Sequence, residues 1–167
     1  MSTSWTEYRG QGFWCRDGMV EVWLALLVDE LDERGGEAGG ELPRWLLRLR
    51  EQWIEQVSVI YRGLVSSSLD DWVSNEGRRQ ELVGLIRPLR ERLASGAVTP
   101  APGSVARAVG GAVFERDRAT EQILRVADSF LWLLDGSLGD TRDGSWRSLL
   151  SGASPPNPAL VPHEVGG

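Results

Sequence analysis

The sequence predicts an all-α fold: a compact bundle of four main helices with short extra helical turns, an irregular N-terminal strap and a disordered C-terminal tail. Three observations predict it. Four long segments carry apolar residues at three- and four-residue steps, the spacing that gathers them on one helix face. Capping residues, glycines or prolines bound these segments. No stretch shows the alternation of a strand or the dipeptide of a tight hairpin.

The elements follow in order. Residues 1–16 contain Gly10 and Gly12, which break any periodicity, and form the strap. Asp17 caps a first helix to about Glu33, with Met19, Val20, Trp23, Leu26, Leu27 and Leu31 inward. Gly35 and Gly36 end it. Pro43 opens a second helix to about Val65. Leu42, Leu46, Leu49, Trp53, Val57, Ile60 and Leu64 form its main stripe; Leu47, Ile54, Tyr61 and Val65 form a second one beside it. So wide an apolar arc predicts contact with more than one neighbour and the central place in the bundle. Arg44, Arg48, Glu51, Glu55 and Arg62 take the opposite face.

Ser68 with Asp71 suggests a capping box for a short turn carrying Trp72. Asn75 caps a third helix to about Ser95, buried along Leu82, Leu85, Ile86, Leu89 and Leu93. Pro88 inside it predicts a kink or a split. Residues 96–104 are a loop, and 105–113 are small, apolar and ambiguous. A fourth helix runs from about Phe114 to Leu134, with Ala119, Ile123, Val126, Ala127, Phe130, Leu133 and Leu134 inward and Gly136 as its stop. One more turn is expected at 145–150. The helical domain thus spans 1–150, and the Pro-, Gly- and Ser-rich stretch 151–167 is the tail.

Composition narrows the function. A net charge of −6 and a pI near 4.9 argue against a nucleic-acid partner. All 18 basic residues are arginine, as in a GC-rich, bacterial-type coding sequence. A single cysteine, Cys15, permits no internal disulfide and suits a reducing compartment. No apolar run reaches the roughly 18 residues of a membrane helix, and the N-terminus has no signal-peptide core. These features predict a cytoplasmic protein with no membrane partner.

The usual catalytic parts are sparse. His163 is the only histidine and lies in the tail, which argues against histidine-based triads and zinc sites. There is no phosphate-binding GxxxxGK[ST] loop and no strand–GxGxxG–helix unit. No catalytic residue, metal ligand or cofactor is assigned. Cys15, beside Arg16, has no base to activate it and reads as a small core residue. Asp70, Asp71 and Glu76 are acids that complement helix starts, or else a carboxylate metal site.

Two segments depart from what stability alone selects. Asp29, Glu30, Asp32, Glu33, Glu37 and Glu41 carry nearly the whole net charge, with Arg34 the one cation among them. Most crowd the C-terminal turn of a helix, where the dipole disfavours anions by roughly 0.3–1 kcal/mol each. They are either a solvated end partly neutralised by Arg44 and Arg48, or a docking patch for a basic protein partner. The second segment holds Arg9, Phe13, Trp14 and Arg16 around two glycines, either covering one end of the bundle or binding an anionic ligand. Helix three adds Arg78, Arg79, Arg87, Arg90 and Arg92, with Arg87 and Glu91 spaced as a surface pair.

The leading expectation is a non-catalytic protein-binding module: an immunity- or antitoxin-type inhibitor, or an adaptor, whose partner-binding residues are Asp29, Glu30, Asp32, Glu33 and Glu37. The alternatives are a carboxylate-based metal-dependent enzyme with its site between helices, and a small-ligand binder with Trp14, Trp23 and Trp53 around a pocket. Self-association is left open.

Overall fold

The computed structural model describes residues 3–36, 41–58, 66–101 and 116–138. Most of them are helical. The chain runs β1 (Thr3–Tyr8), β2 (Gln11–Arg16), α1 (Asp17–Gly36), α2 (Arg44–Ser58), β3 (Ser66–Ser68), α3 (Glu76–Ala94) and α4 (Arg116–Asp135). The four long helices match the sequence reading. The strands correct it.

The expected irregular strap is a β-hairpin. β1 and β2 pair antiparallel with Trp5 opposite Trp14 and Tyr8 opposite Gln11. Only Arg9 and Gly10 remain to turn the chain, and both take positive φ, 49° and 75°. A two-residue loop with positive φ at both positions fits the twist of a hairpin. Glycine accepts this freely and arginine does not. Asp70 steadies Arg9 by accepting its backbone N–H on both carboxylate oxygens, at 3.0 and 3.1 Å. The Arg9 guanidinium lies 5.0 Å from the centre of the Tyr8 ring.

β1 is the middle strand. β3 pairs parallel to its other side, Thr6 opposite Ser67. Ser68 therefore belongs to a strand rather than to a cap; the turn after it is closed by Val73 N–H donating to the Leu69 carbonyl at 2.8 Å. One sheet face is buried on the helices through Ser4, Thr6, Tyr8 and Phe13. The other carries Trp5 and Trp14, ring centres 5.1 Å apart. Gly12 is needed there, because a Cβ at that position would run into the Trp5 indole.

α1, not α2, is the central helix. It packs on α2, α3, α4 and the hairpin. Val20, Val22, Trp23, Leu24, Leu26 and Leu27 are all buried, so more than half of the circumference of α1 is apolar along this stretch, with Glu21 and Ala25 on the remaining side. α2 packs on α1 through Leu46, Leu49 and Trp53 and meets α3 through Trp45, whose indole N–H donates to Glu81 at 2.8 Å. Of its second stripe, Leu47 is exposed and Ile54 half-buried, while Tyr61 and Val65 lie outside the described residues. Pro43 stands just ahead of α2, its carbonyl accepting from Leu46 and Leu47.

Asn75 caps α3 as expected, accepting the Arg78 backbone N–H at 3.0 Å. α3 runs unbroken through Pro88. Every residue of the stripe predicted for α4 is buried. Gly136, with φ 73°, ends that helix: its N–H donates to the Leu133 carbonyl and that of Ser137 to the Trp132 carbonyl. This is the double bond of a Schellman cap. The expected continuation of the second helix over 59–65, the expected turn at 145–150, the tail 151–167 with His163, and residues 105–113 lie outside the described residues.

Candidate interaction surface

The acidic run sits on the last two turns of α1, and the structure separates its members. Glu30 is only 6% exposed, between α1 and α3. Its carboxylate accepts from Arg34 Nε at 2.9 Å and from Arg92 Nη2 of α3. Arg92 also lies 3.5 Å from Glu33. Asp32 takes both arms of a fork from Arg50 of α2, at 2.5 and 3.0 Å.

The neutralising cations expected from sequence, Arg44 and Arg48, do not take this part. They fall on the solvent face of α2, whereas Arg50 borders α1. Three arginines thus stand against the four acids from Asp29 to Glu33. Helix-end repulsion is relieved by long-range pairing, and the run joins α1 to both neighbours.

Arg34 has a second task. Pro88 has no N–H, so the carbonyl four residues before it, that of Gly84, loses its helical donor. Arg34 Nη2 donates to that carbonyl at 3.1 Å. One arginine therefore joins the buried Glu30 to the backbone gap that a proline opens in α3.

Asp29 is the exception in the run. It is exposed and forms no ion pair among the described residues. Partial desolvation, and then the charge of Asp32, push its carboxyl above the ordinary aspartate range. Among the described residues no cation answers its charge. Glu37 lies outside the described residues, and Glu41 is exposed ahead of α2.

The second sequence-predicted group does not converge. Phe13 points inward, its ring edge-on to Phe130 with centres 5.6 Å apart. Trp14, the next residue, points to the opposite face. Arg9 is at the hairpin turn and Arg16 at the far end of a six-residue strand, some 17 Å away at about 3.4 Å per residue. These four do not frame one anion. Trp23 packs near Phe130 in the core, so Trp14 shares no pocket with it. Cys15 lies half-buried against the core, as the hydrophobic reading holds.

Asp70 is occupied by the Arg9 backbone. Glu76 accepts from Arg79 and Gln80, which hold its carboxyl down to about 2. Asp71 is exposed. Among the described residues no three potential ligands gather as a metal would require.

The arginines of α3 reach toward neighbouring elements. Arg79 donates to the Leu134 carbonyl and Asp135 of α4, both at 3.2 Å. Arg90 grips Asp128 at 2.9 and 3.2 Å. Arg78 donates to the Trp72 carbonyl and lies over the Trp45 ring. Arg87 and Glu91 stay exposed, and the expected pair between them does not close.

What sequence reasoning missed is the outer strip of α2. Leu47 is 41% and Val57 37% exposed, with Ile54 half-buried. Leu47 and Ile54 belong to the expected second stripe and Val57 to the main one; Tyr61 and Val65 of the second stripe lie outside the described residues.

No protein family matches this chain, and no curated protein or solved structure is similar enough to match it. No helix among the described residues is long and apolar enough to cross a membrane.

Proposed function

We propose that the chain is a non-catalytic protein-binding module that docks a basic partner at the C-terminal end of α1, as an immunity- or antitoxin-type inhibitor or an adaptor does. The observation that carries this reading is Asp29. Its neighbours answer their charges within the fold, whereas Asp29 is exposed and forms no ion pair among the described residues. A partner's arginine or lysine supplies the missing counter-charge. Such rim charges act mainly on association rate and choice of partner.

The acids divide the work. Glu30 and Asp32 hold α1 to α3 and α2. Asp29 and the largely exposed Glu33 face the partner. Replacing all four acids together would confuse docking with folding, so the test uses Asp29→Asn/Glu33→Gln. Capture from the source cells is compared by quantitative mass spectrometry between wild type and this variant. The reading expects a basic protein that is lost with the variant and with added salt. A captured set that is the same for both forms and indifferent to salt overturns it.

A second reading, small-ligand binding, draws on one observation. The indole N–H groups of Trp23 and Trp53 are fully buried and find no acceptor among the described residues. A buried donor without a partner costs about 1–3 kcal/mol, which a polar guest would relieve. A metabolite screen by tryptophan fluorescence tests this, and silence across the screen removes it.

A further inference from the structure

We infer that the outer edge of the hairpin is a self-association site: β2 pairs antiparallel with β2 of a second copy, about a two-fold axis at Trp14. This is independent of the docking reading above, because β2 adjoins the N-terminal end of α1 and Asp29 lies toward the other end.

The phase of the ladder identifies the groups concerned. The Leu69 N–H donates to the Glu7 carbonyl at 2.9 Å, so the backbone of Glu7 faces β3. Along a strand, successive residues direct these groups to opposite sides. Trp5 therefore also faces β3, while Thr6 and Tyr8 face β2. Their partners Phe13 and Gln11 direct N–H and C=O toward β1. Gly12 and Trp14 direct theirs the other way, off the sheet. The close approach of the Trp5 and Trp14 rings agrees, since side chains come nearest in pairs that exchange no hydrogen bonds.

Among the described residues nothing pairs with these backbone groups of Gly12 and Trp14. Trp14 is half-exposed, and Gly12 is buried beneath the Trp5 indole. An unpaired amide in a buried place is costly, and a strand laid alongside would answer it. The two edges of the sheet also differ. β3 is three residues long, and a short edge strand resists pairing. β2 has six, in unbroken register with β1 and with no proline or lysine to blunt it.

The pattern of β2 selects the occupant. About a two-fold axis at Trp14, that residue exchanges both backbone bonds with Trp14 of the second copy. Gly12 then stands opposite Arg16 of the second copy. The middle row continues the Trp5–Trp14 contact with the same two rings of the other chain. Each flanking row sets Glu7, Gly12 and the other copy's Arg16 in line. Over Gly12 lies the Trp5 indole, whose N–H is held by Glu7. An arginine can stack on that ring and reach the carboxylate. Symmetry makes the match twice. An unrelated strand would make the backbone bonds without this pairing of opposite charges.

Sedimentation velocity of the full chain at rising concentration reads the association, and amide exchange by NMR reads the edge. A monomer–dimer equilibrium is expected, with the Gly12 and Trp14 amides exchanging more slowly as concentration rises. Arg16→Glu alone and Glu7→Arg alone should each weaken the dimer about tenfold or more, because like charges then meet in both flanking rows. Mixing the two variants should restore it, since every row then holds opposite charges. Circular dichroism checks that each variant folds. Arg16→Gln and Glu7→Gln replace any that does not, and mixing those returns one of the two pairs.

A chain that stays monomeric at every concentration overturns the inference. So does a dimer that the single charge changes leave intact, or one that mixing fails to restore. Protection of the Gly12 and Trp14 amides that ignores concentration would also overturn it, by showing that the chain covers its own edge.

Discussion

The two ends of α1 attract attention in the sequence for opposite reasons, and the fold secures them by opposite physics. At the N-terminal end, the hairpin is held by packing: Phe13 on Phe130, Trp5 over Gly12, Tyr8 in the core. At the C-terminal end, α1 is tied by charge: Glu30 to Arg34 and Arg92, Asp32 to Arg50. Apolar packing is nearly indifferent to salt and pH, whereas partly exposed ion pairs are screened by salt. An unusual segment need not be a binding site. Both are first of all devices for holding α1, and what remains for a partner is what each leaves uncompensated.

The largest expected effect breaks the packed end. Gly12→Val should cost about 2–3 kcal/mol, because the new side chain must displace the Trp5 ring. Urea unfolding should show the same loss in low and high salt. A loss that vanishes in salt would mean that the hairpin, too, is held by charge.

A smaller effect sharpens the charged end. Pro88→Ala restores an N–H for the Gly84 carbonyl, so Arg34 no longer has that acceptor to itself. A double-mutant cycle of Arg34→Ala with Pro88→Ala should return a coupling of about 1 kcal/mol. Additivity would show that Arg34 does not serve the proline gap.

The smallest effect concerns Asp29. Its folded pKa is raised, so the fold holds that proton more tightly than the unfolded chain does. The resulting stability is complete below the ordinary aspartate value of 3.8 and is lost as pH rises through the raised value. At neutral pH the ionised group slightly destabilises the fold. Asp29→Asn should therefore raise stability at pH 7 by no more than about 0.5 kcal/mol and flatten this part of the pH profile. A clear loss of stability would mean that Asp29 has a partner in the fold.

The helices were legible because helical spacing is local information. The stripes of α3 and α4 appear in the sequence as they appear in the core. The hairpin was not, for three physical reasons. Its turn uses Arg9-Gly10, where Asn-Gly is the familiar signal. Its inward face includes Ser4 and Thr6, which hides the alternation. Its partner β3 is three serines with no apolar signal.

The centrality of α1 was missed because a wide apolar arc on α2 says how much is apolar, not how much finds a neighbour. The acidic run was legible as an anomaly, but its answer lay far along the chain, in Arg50 and Arg92. The Arg34 contact was closer to legible: a proline in a helix always leaves a carbonyl to satisfy.

The most direct test of the charged end is Glu30→Gln, which keeps the shape and removes the charge. Its stability is compared with wild type by urea unfolding in low and high salt. A loss of about 2 kcal/mol in low salt, partly erased in high salt, is expected; this lies below the usual range for broken buried pairs because Arg34 and Arg92 keep access to water. A change within about 0.5 kcal/mol at both salt concentrations would contradict the account, leaving the acidic run without a part in holding α1 to α3.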